Sequence, residues 1–195
     1  MSPVAYIGFG SNLGNRERKF AKALRALGEI PATVVTAHSG LFETEPVDLS
    51  DHGPMFLNAA ISVDTELSAK DLLGHMRRIE LMLGKSPLHR SDMSRTIDLD
   101  LLLYGSELLG EGEVEVPHPR MHLRAFVLVP LAEIAASAVH PGLNRTIEDL
   151  VRELPYEELV KVRAVQDRAT PAAAKDRTRN IAQAKVDAQP ACGND

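Results

Sequence analysis

Apolar residues at strand and helix spacing divide the first part of the chain into short elements. Residues 4–9 form a short apolar run bounded by glycine, which predicts a buried strand. Asn15 is a suitable N-cap for an amphipathic helix over about 16–27, which Gly28 would end. Further strands are predicted over 33–43 and 56–66, and the second of these alternates between two faces.

The middle of the chain repeats this pattern. Ser68 opens a capping-box sequence before a second helix that reaches Leu83. Residues 96–104 carry the strongest strand pattern in the chain, and helices are predicted over roughly 122–135 and 146–154. The order β-α-β-β-α-β predicts an α+β fold with an antiparallel sheet.

Two polar segments and a tail interrupt these elements. The segment 44–54 is too long for a tight hairpin turn, and residues 85–94 are mostly polar, so both are predicted to be loops. Residues 164–195 contain no Leu, Met or aromatic residue, so little apolar area can be buried there. We therefore expect a domain over residues 1–163 and a disordered or loosely helical tail over 164–195.

Composition narrows the class of protein. The 195 residues carry a net charge of −5 and no Trp, which argues against a general nucleic-acid binder. A single cysteine, Cys192, excludes an intramolecular disulfide and a Cys-rich zinc site. The longest apolar run, residues 125–132, is too short to cross a bilayer, and the N-terminus lacks a signal-peptide pattern. We expect a cytoplasmic protein.

Asp98 and Asp100 are the first candidates for chemistry. Residues two apart on a strand project from the same face, about 6–7 Å apart, where two carboxylates can share metal ions. Leu99, Leu101 and Leu103 are expected to face the other way, into a core. Magnesium is the natural ion, because it takes few protein carboxylates and fills its shell with water and phosphate. The alternative is a solvated strand face.

Five other positions allow two interpretations each. Arg95 either pairs with Asp98 or clamps a phosphate. His118, between two prolines, is either a surface turn or a phosphate donor. Asn58 needs hydrogen-bond partners, which a heterocyclic ring or nearby backbone could supply. Phe56, with Phe126 later in the chain, could form stacking walls around such a ring or belong to the core.

The chain resembles the 6-hydroxymethyl-7,8-dihydropterin pyrophosphokinases of folate biosynthesis. Four segments carry the resemblance, in the family's order and spacing over residues 4 to about 155: 6–14 (YIGFGSNLG), 56–60 (FLNAA), 95–105 (RTIDLDLLLYG) and 117–131 (PHPRMHLRAFVLVPL). The last two are long and specific.

The resemblance implies a ferredoxin-like βαββαβ core with flanking helices. It also implies transfer of the β,γ-diphosphate of ATP to the hydroxymethyl group of the pterin, with release of AMP. Asp98 and Asp100 would hold two Mg²⁺ ions, and Arg95 and Arg124 would stabilise charge on the phosphates. The implied neighbours of ATP are Glu80, Arg95, His118 and Arg124, and those of the pterin are Thr44, Pro46, Val47, Phe56, Asn58 and Phe126.

One segment departs from the family pattern. Asp92 stands where the family commonly has a Trp over the pterin, and Arg90 is the only arginine between residues 85 and 94. We expect Asp92 to point away from the site and Lys85 or Arg90 to reach the phosphates. Replacing Arg90 with Ala should then cost about tenfold in ATP binding or turnover.

Two other classes of function are alternatives to an enzyme of this family. A pterin or nucleotide binder without activity would retain the fold, but the intact Asp98 and Asp100 pair favours an enzyme. An RNA-binding module would need exposed aromatic residues and a basic face, against the acidic composition. We expect small-molecule substrates, no nucleic-acid or membrane partner, and a monomer.

Overall fold

A computed structural model describes residues 2–46, 53–87, 93–110 and 113–165. The elements in these ranges, in chain order, are β1 (Val4–Ser11), α1 (Arg16–Gly28), β2 (Thr33–His38), β3 (Phe42–Thr44), β4 (Phe56–Thr65), α2 (Ala69–Met82), β5 (Asp98–Tyr104), a 3₁₀ turn (Met121–Leu123), α3 (Ala125–Ala135), β6 (Val139–His140), β7 (Arg145–Thr146), α4 (Ile147–Glu153), α5 (Tyr156–Leu159) and β8 (Arg163–Ala164).

One antiparallel sheet organises the described residues. Its strands follow the order β5-β1-β4-β3-β8, and β2 pairs with the far end of β4. Without the short strands β3 and β8, the order is β5-β1-β4-β2, joined by α1 and α2. This is the ferredoxin-like βαββαβ arrangement, so the predicted fold class is confirmed.

Local capping explains where three of the helices begin. The side chain of Asn15 accepts a hydrogen bond from Arg18 N at 2.8 Å, as its N-cap pattern predicts. Ser68 accepts from Asp71 N at 3.1 Å and donates to the Asp71 carboxylate at 2.7 Å. Thr146 caps α4 in the same way. These short-range contacts account for the agreement at the helix starts.

Helices cover both faces of the sheet. On one face, α1 and α2 bury Phe20, Leu27, Leu72 and Met76 against β1, β4 and β5. On the other face, α3 and α4 pack on a second cluster that includes Phe42 and Leu102. The sheet is therefore buried on both sides where these helices lie, and side chains at and just before the start of α3 border a pocket.

The structure corrects three details of the predicted elements. The strand predicted over 33–43 is two strands, because the chain turns at Ser39, whose hydroxyl donates to Gly40 O and accepts from Ala60 N. The helix predicted over 122–135 begins at Ala125, after the separate 3₁₀ turn. The strand predicted over 96–104 begins at Asp98.

A bulge in β5 overturns a fourth expectation. Ile7 pairs with Leu101 but Tyr6 pairs with Leu103, so Leu102 is the extra residue of the bulge. Leu102 and Leu103 consequently both join the α3-side cluster, whereas Leu101 packs on the α1 and α2 side. The prediction that Leu103 shares a face with Leu101 is wrong.

The chain beyond α5 is still attached to the sheet. Strand β8 pairs Ala164 with Phe42, and Val165 N donates to Leu41 O at 2.8 Å. Residues 166–195, most of the predicted tail, lie outside the described residues, so the division at 163 and 164 stays a prediction. No helix in the described part of the chain is both long enough and apolar enough to cross a membrane.

Candidate active site

A pocket of about 670 Å³ opens on the α3 side of the sheet. Its volume lies within the usual range for small-molecule sites. Ten residues singled out from the sequence line it: Thr44, Phe56, Asn58, Lys85, Arg95, Asp98, Asp100, His118, Arg124 and Phe126. Segments far apart in the chain therefore meet at one cavity.

Asp98 and Asp100 lie in this pocket in different electrostatic settings. Burial raises the pKa of Asp100, and the neighbouring Asp98 charge raises it further, to about 7, although Arg124 and Lys85 oppose the change. Burial also acts on Asp98, but the charges of Lys85 and Arg95 outweigh it and hold the pKa of Asp98 below its usual value. Neighbouring cations thus stabilise the ionised form of Asp98, whereas they do not compensate for the burial of Asp100.

Three side chains form the network around Asp98. Lys85 Nζ donates to Asp98 Oδ1 at 2.7 Å and to Glu80 Oε1 at 2.8 Å. The Arg95 guanidinium pairs with the other oxygen of Asp98. The two carboxylates around Lys85 raise its pKa despite its burial, so the ammonium stays charged at neutral pH.

Glu80 lies behind the pocket wall. Only 6% of its surface is exposed, and its Oε1 also accepts from Leu99 N at 2.7 Å, between the two aspartates on β5. Burial raises the pKa of Glu80, and its hydrogen bonds with Lys85 and Leu99 counteract this effect. Glu80 therefore supports Lys85 and the edge strand β5.

The pair of aspartates is a suitable donor set for a hard divalent cation. Two oxygen ligands on one strand face leave the rest of a magnesium shell for water and phosphate oxygens. Burial and the charge of Asp98 raise the pKa of Asp100, and a cation beside both carboxylates would offset this effect by favouring the ionised form. In the described ranges, no cluster of three or more His, Cys, Asp or Glu side chains could hold a metal by itself.

At the other end of the pocket, Asn58 is held by a neighbouring strand. It is 5% exposed, and its Nδ2 donates to Thr44 Oγ1 at 2.8 Å, across the pairing of β3 with β4. Gly10 lies beside Asn58, where a Cβ would be 3.5 Å from Asn58 Oδ1. The amide is thus fixed in orientation at the pocket floor.

Two phenylalanines border the same end, each with an arginine over its ring. The Arg95 Cζ lies 5.5 Å from the centre of the Phe56 ring, and the Arg124 Cζ lies 5.4 Å from that of Phe126. Both distances are typical of cation–π contacts. Each aromatic wall is therefore joined to a cation that faces the acidic end.

His118 connects the pocket to the edge of β5. Its backbone N donates to Leu102 O at 2.9 Å, and its Nδ1 accepts from Arg120 N at 3.3 Å. With Nδ1 as acceptor, the neutral ring carries its proton on Nε2 and can donate from there. Burial and the charge of Arg124 lower the pKa of His118, which favours that neutral form.

Not every predicted residue reaches the pocket. Pro46 is half-buried but does not line it. Val47, Arg90 and Asp92 lie outside the described residues, so the predictions made for them remain predictions. Glu45, Arg120, Leu123 and Glu158 line the pocket but were not singled out from the sequence. Arg120 could have been found from its place beside His118, whereas no local pattern points to Glu158.

The fold and pocket define the class of protein. A ferredoxin-like α+β domain carries a small-molecule pocket, with two carboxylates among cations at one end and an amide between aromatic rings at the other. Such a pocket is suited to a polyanionic ligand beside a flat polar one. Comparison with known protein families gives the same class of protein.

Residues 6–136 match the family model described as 7,8-dihydro-6-hydroxymethylpterin-pyrophosphokinase (HPPK), and the chain belongs to this family. It is 37% identical over 159 residues to the Haemophilus influenzae 2-amino-4-hydroxy-6-hydroxymethyldihydropteridine pyrophosphokinase, covering 82% of this chain and 98% of that one. The Bacillus subtilis protein of the same name is 42% identical over 134 residues, covering 69% and 79%. The protein is thus an enzyme that transfers pyrophosphate.

Solved structures agree on the fold. The Plasmodium falciparum HPPK-DHPS structure with pteroate gives a TM-score of 0.63 at 14% identity, covering 78% of this chain and 42% of that chain. The HPPK-DHPS structure in complex with substrates gives 0.61 at 12% identity, with 77% and 43% covered. This chain spans less than half of those longer chains.

Proposed function

We propose that the enzyme transfers the β,γ-diphosphate of ATP to the hydroxymethyl group of 6-hydroxymethyl-7,8-dihydropterin, giving AMP and the pterin diphosphate. The observation that carries the proposal is the pocket with two chemically different ends, in a chain of the HPPK family. One end suits phosphates and the other suits a planar heterocycle.

The amide and aromatic end is proposed to bind the pterin. A pterin edge alternates hydrogen-bond donors and acceptors, and the fixed Asn58 amide offers both an acceptor and a donor. Its orientation depends on Thr44, which accepts one of its two N–H bonds. Phe56 and Phe126 would pack around the ring.

The cationic end is proposed to bind the triphosphate. ATP carries about four negative charges, and Lys85, Arg95 and Arg124 supply positive charge along the pocket wall. His118 would add a neutral Nε2–H donor, so it can contact a phosphate oxygen at neutral pH. Arg95 and Arg124 would also stabilise the charge that develops on the departing AMP.

Asp98 and Asp100 are proposed to hold two magnesium ions, which would neutralise phosphate charge and orient the attacking hydroxyl. For this role both aspartates must be ionised. Lys85 and Arg95 keep Asp98 ionised in the free enzyme, whereas burial and the Asp98 charge raise the pKa of Asp100 to about 7 and so favour its protonated form. Metal uptake should therefore release a proton from Asp100.

The proposed reaction is a single displacement at the β-phosphorus of ATP. The pterin hydroxyl oxygen forms a bond to the β-phosphorus, and the bond from that phosphorus to the oxygen bridging the α-phosphate breaks. AMP leaves with the bridging oxygen, and the hydroxyl proton is lost.

A neighbouring cavity is suited to the nucleoside. It measures about 320 Å³, is lined in part by Leu73, Leu101 and Val114, and shares Asp100 and His118 with the main pocket. The charged side chains of Glu113, Glu115 and Arg120 also line it. Its apolar side chains would pack on an adenine whose phosphates lie in the main pocket.

A direct assay tests the proposal. The protein, ATP, Mg²⁺ and 6-hydroxymethyl-7,8-dihydropterin should yield AMP and pterin diphosphate in equal amounts, and omission of the pterin should abolish AMP formation. Release of ADP instead of AMP would show a simple phosphotransferase. No product with any nucleotide, together with tight pterin binding, would favour a binder without activity.

A further inference from the structure

Asn12, at the end of β1, forms hydrogen bonds to two separate segments beside the pocket. It is 2% exposed, and its Nδ2 donates to Pro54 O at 3.1 Å and to Ser94 Oγ at 2.9 Å. Its Oδ1 accepts from Arg95 N at 2.6 Å, and its own backbone N donates to Arg95 O at 3.1 Å. A single buried side chain thus joins the segment before Phe56 to the segment that carries Arg95.

The two segments pack so closely that a side chain on Gly53 would meet the side chains of Ser94 and Asn12. A Cβ built on Gly53 would lie 1.8 Å from Ser94 Oγ and 3.0 Å from Asn12 Nδ2. The glycine therefore allows the approach, and Asn12 fills the remaining space with polar atoms that satisfy both backbones.

This junction fixes a contact between the two ends of the pocket. The Arg95 guanidinium pairs with Asp98 at the acidic end and lies over the Phe56 ring at the aromatic end. Phe56 lies two residues after Pro54 in the sequence. Asn12 therefore holds the backbone next to Phe56 and the backbone of Arg95, the two residues that form this contact. Small displacements of such groups are costly, since a shift of about 1 Å can reduce a rate roughly a hundredfold.

We propose that Asn12 is a positioning residue that couples the phosphate-binding and pterin-binding ends of the active site. It does not line the pocket and acts through the backbones of Arg95 and Pro54. The proposal rests on the proposed function for its kinetic consequences, but the coupling itself is a property of the folded chain.

Two variants at Asn12 separate the two halves of the junction. Asn12→Ala removes all three side-chain bonds. Asn12→Asp keeps an acceptor for Arg95 N but replaces the donor to Pro54 O with a second oxygen, which repels that carbonyl. The first variant should release both segments, and the second should release only the segment before Phe56.

The measurements are steady-state kinetics with each substrate varied and amide hydrogen exchange at Arg95. We expect Asn12→Ala to lower kcat at least about tenfold and to speed Arg95 exchange by a similar factor. Asn12→Asp should raise the pterin KM about fivefold or more, with the ATP KM and Arg95 exchange within about twofold of wild type. If Asn12 only stabilised the fold, Asn12→Asp would not raise the pterin KM while leaving the ATP KM unchanged.

Two further variants guard against a general loss of stability. Ser11→Ala removes the hydrogen bond from Ser11 Oγ to Thr96 O, at the same depth and on the same strand end, without touching residues 53–55. It should leave the ratio of the two KM values unchanged. Gly53→Ala forces Ser94 away from Asn12 while Asn12 itself is intact, and it should reproduce the rise in pterin KM.

Arg95 amide exchange tests the coupling independently of whether the proposed reaction is correct. If wild-type protein makes no AMP, the reaction is wrong, and Arg95 exchange in the two Asn12 variants decides the coupling by itself. Equal Arg95 exchange in Asn12→Ala and wild type would overturn the proposal. So would kcat and both KM values of Asn12→Ala within about twofold of wild type.

Discussion

Neutralising Asp98 or Asp100 should have the same effect on catalysis and opposite effects on stability. Asp98→Asn and Asp100→Asn should each lower turnover by at least about a hundredfold, the scale for losing one preorganised charge-stabilising group. Without metal, however, Asp100→Asn should be more stable than wild type at pH 8, and Asp98→Asn should be less stable.

The magnitude for Asp100 follows from its pKa. The value of about 7 lies roughly three pH units above the ordinary 3.8. At about 1.4 kcal/mol per pH unit, the ionised carboxylate costs at most about 4 kcal/mol in the folded protein. Removal of that charge should recover a large part of this, so the melting temperature should rise by several degrees, at about 2–4 °C per kcal/mol.

The pH dependence has a definite sign. Because the folded-state pKa of Asp100 is raised, folded protein binds the proton more tightly than unfolded protein between about pH 4 and pH 7. Wild-type stability from this group falls as pH rises through that window. The advantage of Asp100→Asn should therefore be full above pH 7 and vanish near pH 4.

Asp98 provides the matched control. Its pKa is lowered by Lys85 and Arg95, so its ionised form stabilises the folded protein above the ordinary pKa and loses this effect as pH falls below it. The side chains of Asp98, Lys85 and Arg95 are 17%, 23% and 18% exposed, so solvent screens the pairs only in part. Asp98→Asn should cost about 1–3 kcal/mol at pH 8.

Urea unfolding at pH 4.5, 6 and 8, in EDTA and then in Mg²⁺, measures these differences. Added Mg²⁺ should stabilise wild type more than either variant, because each variant lacks a ligand. The electrostatic reasoning is refuted if Asp100→Asn is no more stable than wild type at pH 8 in EDTA. A stabilisation of equal size at all three pH values would also refute it.

Three other predictions test separate parts of the molecule. Thr44→Val should raise the pterin KM about tenfold by removing the acceptor for Asn58, and Thr44→Ser should restore it. Lys85→Met should raise the ATP KM and destabilise the protein by about 2–3 kcal/mol at pH 8, measured by urea unfolding, because the buried Glu80 loses its cation. A chain that ends at Val165 should keep its melting temperature and activity, since residues 166–195 contain no Leu, Met or aromatic residue. A large fall in the melting temperature or the activity would show that those residues pack on the domain.

The sequence alone was sufficient for features that depend on neighbouring residues. The caps at Asn15 and Ser68 are contacts over three residues, so their pattern is visible in the chain. The shared face of Asp98 and Asp100 follows from the two-residue period of a strand. The family resemblance extended this to the fold, because its long segments are specific.

Only the tertiary structure decided how those residues act on one another. The bulge at Leu102 is set by pairing with β1, so the alternation of β5 could not reveal where Leu103 faces. Lys85 contacts Asp98 across 13 residues, and Asn12 contacts Arg95 across 83. The different pKa values of Asp98 and Asp100 also depend on burial and on charges brought from other segments. Local patterns report what a residue can do, but these distances exist only after the chain has folded.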